Sequence, residues 1–229
     1  MKNLEGKWAL VTGASRGIGS QVAAALAAEG CKMILHSRKN EHTKKLADAL
    51  IKQGVTVHQV SAELGNPDEV LKLAAEVKKI CGTLDILYNN AGLMTPYHEK
   101  YLETVPSEYE LSFRVNTIAP ILLCGFFLPM MLAQKWGRIV NVTSGIKDQP
   151  ELMAYAASKA ALDKYVLDMS PKLAGSGVTM NLLDPGWLRT DLGGPNAPGA
   201  VESVCPGALV PVLTNDGKSG QLIRAQDCR

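Results

Sequence analysis

The chain has 229 residues, 46% hydrophobic and 20% charged, with a formal net charge of +2. That length suits one generous domain rather than two, and the composition can bury a core. The Lys and Arg residues alternate with acids, as in Glu41 to Lys45 and Asp68 to Lys79, which argues against a nucleic-acid-binding face.

In chain order, Met1 to Lys7 is polar and carries no signal-peptide pattern. Two periodicities then alternate. Short β-branched runs predict buried parallel strands at Trp8–Thr12, Lys32–His36, Thr56–Val60, Leu84–Asn89, Arg138–Thr143 and Val178–Leu183. Helical spacing of apolar residues follows the first three: Val22, Leu26 and Ala27; Leu46, Ala49 and Leu50; then Val70, Leu73, Val77 and Ile80. Gly30, Gly54 and Gly82 are placed to end those helices. The longest apolar run, Ile121 to Leu132, is shorter than the ~20 residues of a membrane span. It reads as a buried helix, and it also suits a subunit interface. The Gly/Pro-rich stretch Gly193 to Pro206 reads as a loop or lid, part of a short substrate loop at about 191–206, and Gly220 to Arg224 as a last edge strand. Strand–helix alternation at this pace implies right-handed crossovers. The expected fold is therefore α/β: a single, doubly wound, Rossmann-like domain over 1–229, its parallel sheet covered by helices on both faces.

Five cysteines, none in a Cys-x-x-Cys pair, argue against a disulfide framework and fit a reducing, cytoplasmic location. His36, His42, His58 and His98 have no metal-ligand spacing. No metal is expected.

The first predicted strand runs into Thr12-Gly13-Ala14-Ser15-Arg16-Gly17-Ile18-Gly19 and a helix follows at once. Gly13 allows a tight turn, Gly17 lets backbone approach a pyrophosphate, and Gly19 lets helix and strand pack closely. The unpaired N–H groups of the helix start then face the anion. The second strand ends in His36-Ser37-Arg38, where an acid would hydrogen-bond the ribose of NAD. Arg38 can instead pair with a 2′-phosphate, Arg16 can approach from the other side, and Ser37 offers a hydroxyl. Two cations and no anion favour NADP(H).

Tyr155 and Lys159 are four residues apart, so on a helix they share one face. A ketone reduced by hydride needs a proton as its alkoxide forms. A phenol with a pKa of about 10 exchanges protons poorly near neutrality, and a nearby ammonium is expected to lower it. Ser144, at the end of the fifth strand, can hydrogen-bond the carbonyl, with Thr143 the alternative hydroxyl.

The glycine loop's Thr-Gly-x-x-x-Gly-x-Gly spacing, with the later motifs in order over nearly the whole chain, resembles the short-chain dehydrogenase/reductase family. The pattern is closer to carbonyl-reductase-like members than to acyl-carrier-protein reductases. The resemblance implies that the loop holds the adenosine phosphates and that Glu63, where the family commonly has Asp, contacts adenine with Leu64 backbone beside it. It also implies that Asn90, Ala91 and Gly92 line the adenosine ribose. Lys159 would hold the nicotinamide ribose, and Asn116 a water linking Lys159 to solvent, though Asn116 also reads as a helix residue bonding a backbone carbonyl. Pro185, Gly186, Leu188 and Thr190 would hold the carboxamide. The interval from Ser144 to Tyr155 is shorter than the family's by about two residues. The implied activity is NADPH-dependent reduction of a carbonyl to an alcohol, with Tyr155 the proton donor. The competing readings are an NAD(P)-dependent secondary-alcohol dehydrogenase and a non-catalytic nicotinamide sensor. Expected partners are a small carbonyl or alcohol, within walls such as Met94, Tyr97, Trp187 and Leu192, and copies of the chain in a dimer or tetramer; neither nucleic acid nor membrane is expected.

Overall fold

In a computed structural model of the chain, residues 4–228 are described; Met1 to Asn3 of the polar N-terminal stretch, and Arg229, lie outside them. Seven strands form one sheet: β1 (Trp8–Val11), β2 (Lys32–Ser37), β3 (Val57–Ser61), β4 (Ile86–Asn89), β5 (Gly137–Val142), β6 (Val178–Asp184) and β7 (Leu222–Arg224). Every pairing is parallel, in the order β3-β2-β1-β4-β5-β6-β7. Strand β7 starts later than the sequence suggests. Gly220 has φ +77° and donates its N–H to Met180 O at 2.8 Å, so the chain is still turning there.

The helices are α1 (Gly17–Ala28), α2 (Lys44–Lys52), α3 (Pro67–Cys81), α4 (Pro106–Phe113), α5 (Ala119–Ala133), α6 (Met153–Met169) and the short α7 (Val210–Leu213). Helix α3 shows why such a segment starts where it does. Asn66 Oδ1 accepts the Asp68 N–H at 3.1 Å, Pro67 opens the first turn, and Asp68 and Glu69 face the positive end of the helix dipole. Its stop is Gly82, with φ +70°. Between α4 and α5, Arg114–Ile118 forms a π-helical turn.

Because strand side chains alternate in direction, each face of the sheet has its own core. Val11, Leu35 and Tyr88 pack with Val22 and Leu26 of α1 and Leu50 of α2. Their neighbours Leu10, Ile34 and Leu87 point the other way, against Leu73 and Val77 of α3 and Leu123, Phe127 and Met131 of α5. The helical stretch Pro106–Ala133 is long and apolar enough to cross a membrane by length and composition. Its inner face is nevertheless spent on this second core, as the sequence led us to expect.

The segment after β6 differs from a free lid. Arg189 ties it back on itself, donating from its backbone N–H to Gly199 O at 2.8 Å and from Nη1 to Ala197 O and Pro198 O at 3.0 and 2.8 Å. Val201–Val204 is a 3-10 turn whose Val204 is buried in the α1-side core. The second half of the loop is thus a core element.

All strands run the same way, so their C-terminal ends share one edge. The order reverses between β1 and β4, and there the connections diverge to opposite faces and leave a crevice. Phe127, fully buried, tests the helix-covered face. Phe127→Ala is expected to lower unfolding free energy by about 3–5 kcal/mol, read as a drop in urea midpoint at unchanged m-value.

Candidate active site

The crevice begins at the turn from β1 into α1. Gly13 has φ +66°, and a Cβ there would lie 2.9 Å from Ala91 Cα; one on Gly19 would collide with the Gly13 carbonyl. The turn is stitched to the end of β4. The Thr12 hydroxyl accepts the N–H groups of Asn90 and Ala91 at 3.0 Å each, and Asn90 Nδ2 donates to Thr12 O at 2.9 Å and Gly13 O at 3.3 Å. Asn90 therefore pins the loop, as its place in the sequence suggested. Arg16, at the N-cap of α1, makes no side-chain cap. The first-turn amides consequently remain available to an anion. Ser15 is half-buried in this turn, while Ile18 packs onto the core behind it.

A second pin was not anticipated. His36 is 2% exposed. Gly13 N–H donates to its Nδ1 at 3.3 Å, Ala14 N–H donates to its carbonyl at 2.9 Å, and its Nε2 lies 3.2 Å from Ala62 O. With Nδ1 accepting, the proton must reside on Nε2 and point at Ala62. Burial holds this imidazole neutral, its pKa pushed down to about 4. An isolated His at a strand end gives no sequence signal for this role.

Arg38, Lys39, His42, Glu63 and Glu69 line a cavity of about 450 Å³ beyond β2 and β3. Lys39 and His42 extend the basic cluster begun by Arg38, a pattern visible in Arg38-Lys39-Asn40-Glu41-His42 but not assigned from it. Two expectations change here. Arg16 does not line the cavity: its Nε lies 3.0 Å from Asp191 Oδ2, both side chains about two-thirds exposed, so it bridges the glycine loop to the loop after β6. The Ser37 hydroxyl is buried and donates to Lys39 O at 2.6 Å, which orders the turn and leaves no free donor. The Glu63 carboxylate folds back onto Gly65 N–H at 3.1 Å, and Leu64 is buried beneath.

Across the crevice, Tyr155 and Lys159 project from one face of α6 and are only 7% and 5% exposed. Lys159 Nζ donates to Val142 O at 2.7 Å and sits 6.0 Å from the Tyr155 ring centre. Ser144 lies close enough to Tyr155 to favour its charged form, and its Oγ accepts Ile146 N–H at 3.2 Å. Asn116 lies in the π turn. Its Nδ2 donates to Leu93 O and its Oδ1 accepts Leu93 N–H, both at 2.8 Å, while Nδ2 also reaches Ser158 Oγ at 2.9 Å. Its side chain thus bonds a backbone carbonyl, as one of its two sequence readings has it. A side chain at Gly92 would lie 3.6 Å from both Asn116 Oδ1 and Lys159 Nζ, so the two ends of the site meet there.

The electrostatics depart from the simple pairing. Burial raises the Tyr155 phenol above its ordinary range, helped by Asp184 and Asp163 and opposed by the Ser144 hydroxyl. Lys159, itself desolvated to about 8 and opposed by Asp163, does not lower it. The expected depression of the phenol is thus absent from the protein by itself. Asp163, one turn beyond Lys159, is raised by burial; Thr143 and Lys159 favour its charged form. Neither Asp163 Oδ1 nor Thr143 Oγ1 makes a hydrogen bond of good geometry.

After β6, Asp184 Oδ1 accepts Gly186 N–H at 2.9 Å, Pro185 and Gly186 (φ +79°) turn the chain, and Leu188 is buried. Thr190 Oγ1 accepts Gly193 N–H at 3.0 Å, and its methyl would touch a Cβ on Gly17. Met94, Tyr97, Trp187 and Leu192 stand exposed.

A family model described as short chain dehydrogenase matches residues 7–199. The chain is 33% identical to versicolorin reductase 1 of Aspergillus parasiticus over 193 residues, covering 82% of this chain and 72% of that protein. It is 32% identical to the 3-oxoacyl-[acyl-carrier-protein] reductase of Aquifex aeolicus, covering 82% and 77%. Among solved structures, a metagenomic short-chain oxidoreductase in complex with NADP superposes with TM-score 0.81 at 29% identity, over 97% of this chain and 98% of that one. A 3-oxoacyl-(acyl-carrier-protein) reductase from Agrobacterium tumefaciens with NADP bound gives 0.86 at 28%, over 96% and 93%.

The His36 pin has a measurable pH signature. Its folded-state pKa of about 4 lies below the 6.5 of an ordinary histidine, so acid protonates the unfolded chain first. The contribution is whole above pH 6.5 and is lost as pH falls toward 4, by roughly 3 kcal/mol. Urea midpoints between pH 4 and 7 should show this slope in the wild type and lack it in His36→Gln.

Proposed function

The chain belongs to the short-chain dehydrogenase/reductase family, and we propose that it is an NADPH-dependent reductase of ketones or aldehydes, of the carbonyl-reductase-like kind. The observation that carries this reading is the meeting of Ser144, Tyr155 and Lys159 at the C-terminal edge of the sheet, facing an uncapped helix start.

The residues present suit the cofactor. The Gly13–Gly19 turn has the close approaches that exclude side chains, and the free amides of α1 suit a diphosphate. Arg38, with Lys39 and His42, would take a 2′-phosphate in the cavity they line, and Glu63 and Leu64 would border adenine. Asn90, Ala91 and Gly92 would lie along the adenosine ribose. Lys159 would hold the nicotinamide ribose, and Pro185, Gly186, Leu188 and Thr190 the carboxamide. When bound, NADPH supplies the hydride.

The chain's own residues do the rest. Ser144 and Tyr155 hydroxyls position the carbonyl oxygen, and the preorganised Ser144 dipole stabilises negative charge as it grows there. Tyr155 gives its proton to that oxygen. Lys159, held by Val142 O, orients the site, and Asn116 keeps the Leu93 backbone against it. Burial of the phenol favours its protonated form, the form a reductase needs. The full set of chemical groups serves hydride transfer in either direction, and it supports turnover over a sensor. Exposed Leu111, Ile118 and Leu132 on α4–α5 support assembly into a dimer or tetramer.

Two measurements test the reading. Tyr155→Phe is expected to lower kcat for NADPH oxidation over a ketone panel by about 10³-fold, within the range general-acid removal gives; near-wild-type turnover overturns the assignment. Arg38→Asp is expected to raise KM for NADPH at least tenfold more than KM for NADH, one such factor corresponding to 1.4 kcal/mol. Equal changes would remove the phosphate clamp.

A further inference from the structure

Asp184 is the last residue of β6, immediately before the Pro185-Gly186 turn. In register, β5 and β6 end side by side, Val142 opposite Leu183, so the chain leaving β5 through Ser144 and Gly145 passes beside Asp184. The approach is close. A Cβ built on Gly145 would lie 2.6 Å from Asp184 Oδ2, which means the carboxylate rests over the backbone next to Ser144. Oδ1 is engaged by Gly186 N–H at 2.9 Å. That hydrogen bond fixes the carboxylate's direction and leaves Oδ2 on the Ser144 side. Among the described residues no Lys or Arg forms an ion pair with it, although Arg224 is its register neighbour on β7. Asp184 is also close enough to Tyr155 to act on the phenol's charge.

The local cation does not offset this charge. Lys159 is buried, its ammonium is bonded to Val142 O, and Asp163 lies one turn away on the same helix. Arg16 is occupied by Asp191, and Arg38, Lys39 and His42 belong to the cavity beyond β2 and β3. A substrate whose carbonyl oxygen reaches Ser144 and Tyr155 therefore places its adjacent atoms near an uncompensated carboxylate. Like charges held together in a partly desolvated site repel strongly, and a hydrogen-bond donor or a cation is attracted there.

Building on the reductase reading, we propose that Asp184 sets substrate class. It admits ketones that are neutral, or that carry a donor or cationic group next to the carbonyl, and it rejects 2-keto acids and other carbonyls with an adjacent anion. Exposed Met94, Tyr97 and Trp187, on the loops after β4 and β6, would favour an aromatic or aliphatic body on the same molecule.

Three phenyl ketones separate charge from shape: methyl benzoylformate, benzoylformate and the permanently cationic phenacyltrimethylammonium. With NADPH, the wild type should use the neutral and cationic ketones with kcat/KM at least tenfold above the anion. Asp184→Asn keeps an acceptor for Gly186 N–H. Relative to the neutral ester, which divides out any effect on Tyr155 common to all three, it should raise kcat/KM for benzoylformate about tenfold and lower it for phenacyltrimethylammonium. If the variant moves all three ketones together, or the wild type prefers benzoylformate, the proposal is overturned. Calorimetric titration of the same three compounds into NADP-loaded wild type and Asp184→Asn separates this proposal from the one beneath it. A charge ranking that responds to the substitution without turnover sinks the reductase reading and keeps Asp184 as selector. Turnover with an unmoved ranking does the reverse, and neither binding nor turnover of any ketone removes both.

Discussion

The site depends on how the turn after β1 is held against the ends of its two neighbours. Thr12 and Asn90 tie that turn to β4, and His36 ties it to β2 and, through Ala62, to β3. A glycine-rich turn is the most costly backbone to order, because glycine loses the most conformational freedom on folding. Hydrogen bonds from three strands offset that cost before any ligand arrives. The amides of α1 are thereby aimed at the crevice without help from a side-chain cap. Pinning and openness are two sides of one arrangement, since a cap at Arg16 would stabilise α1 and occupy the place an anion needs.

The same edge of the sheet carries the chemical groups, and there burial outweighs pairing. Placing a cation one helical turn from a phenol suggests a depressed phenol pKa, yet desolvation acts on both groups. It disfavours phenolate, and it also disfavours the ammonium that would stabilise phenolate. Nearby Asp163 and Asp184 reinforce the first effect. In the isolated protein the balance leaves a proton on Tyr155. The electrostatic surroundings, rather than Lys159 alone, therefore set the state of the phenol.

Much of this was legible in the chain. Seven strands, their helix stops at Gly30, Gly54 and Gly82, and the pairing of Tyr155 with Lys159 follow from periodicity and spacing, because those patterns express packing directly. Long-range partners were not legible. Nothing in the sequence says that His36 accepts from Gly13, that Arg16 turns to Asp191 rather than toward Arg38, or that Ser37 spends its hydroxyl on Lys39 O. Each depends on which loops the fold brings together, and a hydroxyl or guanidinium takes the nearest acceptor. The loop after β6 misled for a related reason. Its Gly and Pro content suggested a loop or lid, while Val204 anchors its second half in the core.

Asn116 shows how local irregularity serves the site. A regular α-helix through Arg114–Ile118 would keep the i→i+4 spacing; the π turn adds a residue to it. Within that turn Asn116 holds both backbone groups of Leu93 and also reaches Ser158, which in turn donates to Tyr155 O. The loop after β4 and the helix bearing Tyr155 and Lys159 are thereby locked to one buried amide. Losing that amide would leave Leu93 N–H and C=O without their partners, at a desolvation cost of about 1–3 kcal/mol for each group that stayed buried. It would also release the loop that lines Lys159. The side chain therefore holds the geometry of the crevice, and the irregular turn is the means by which one residue reaches both of its walls.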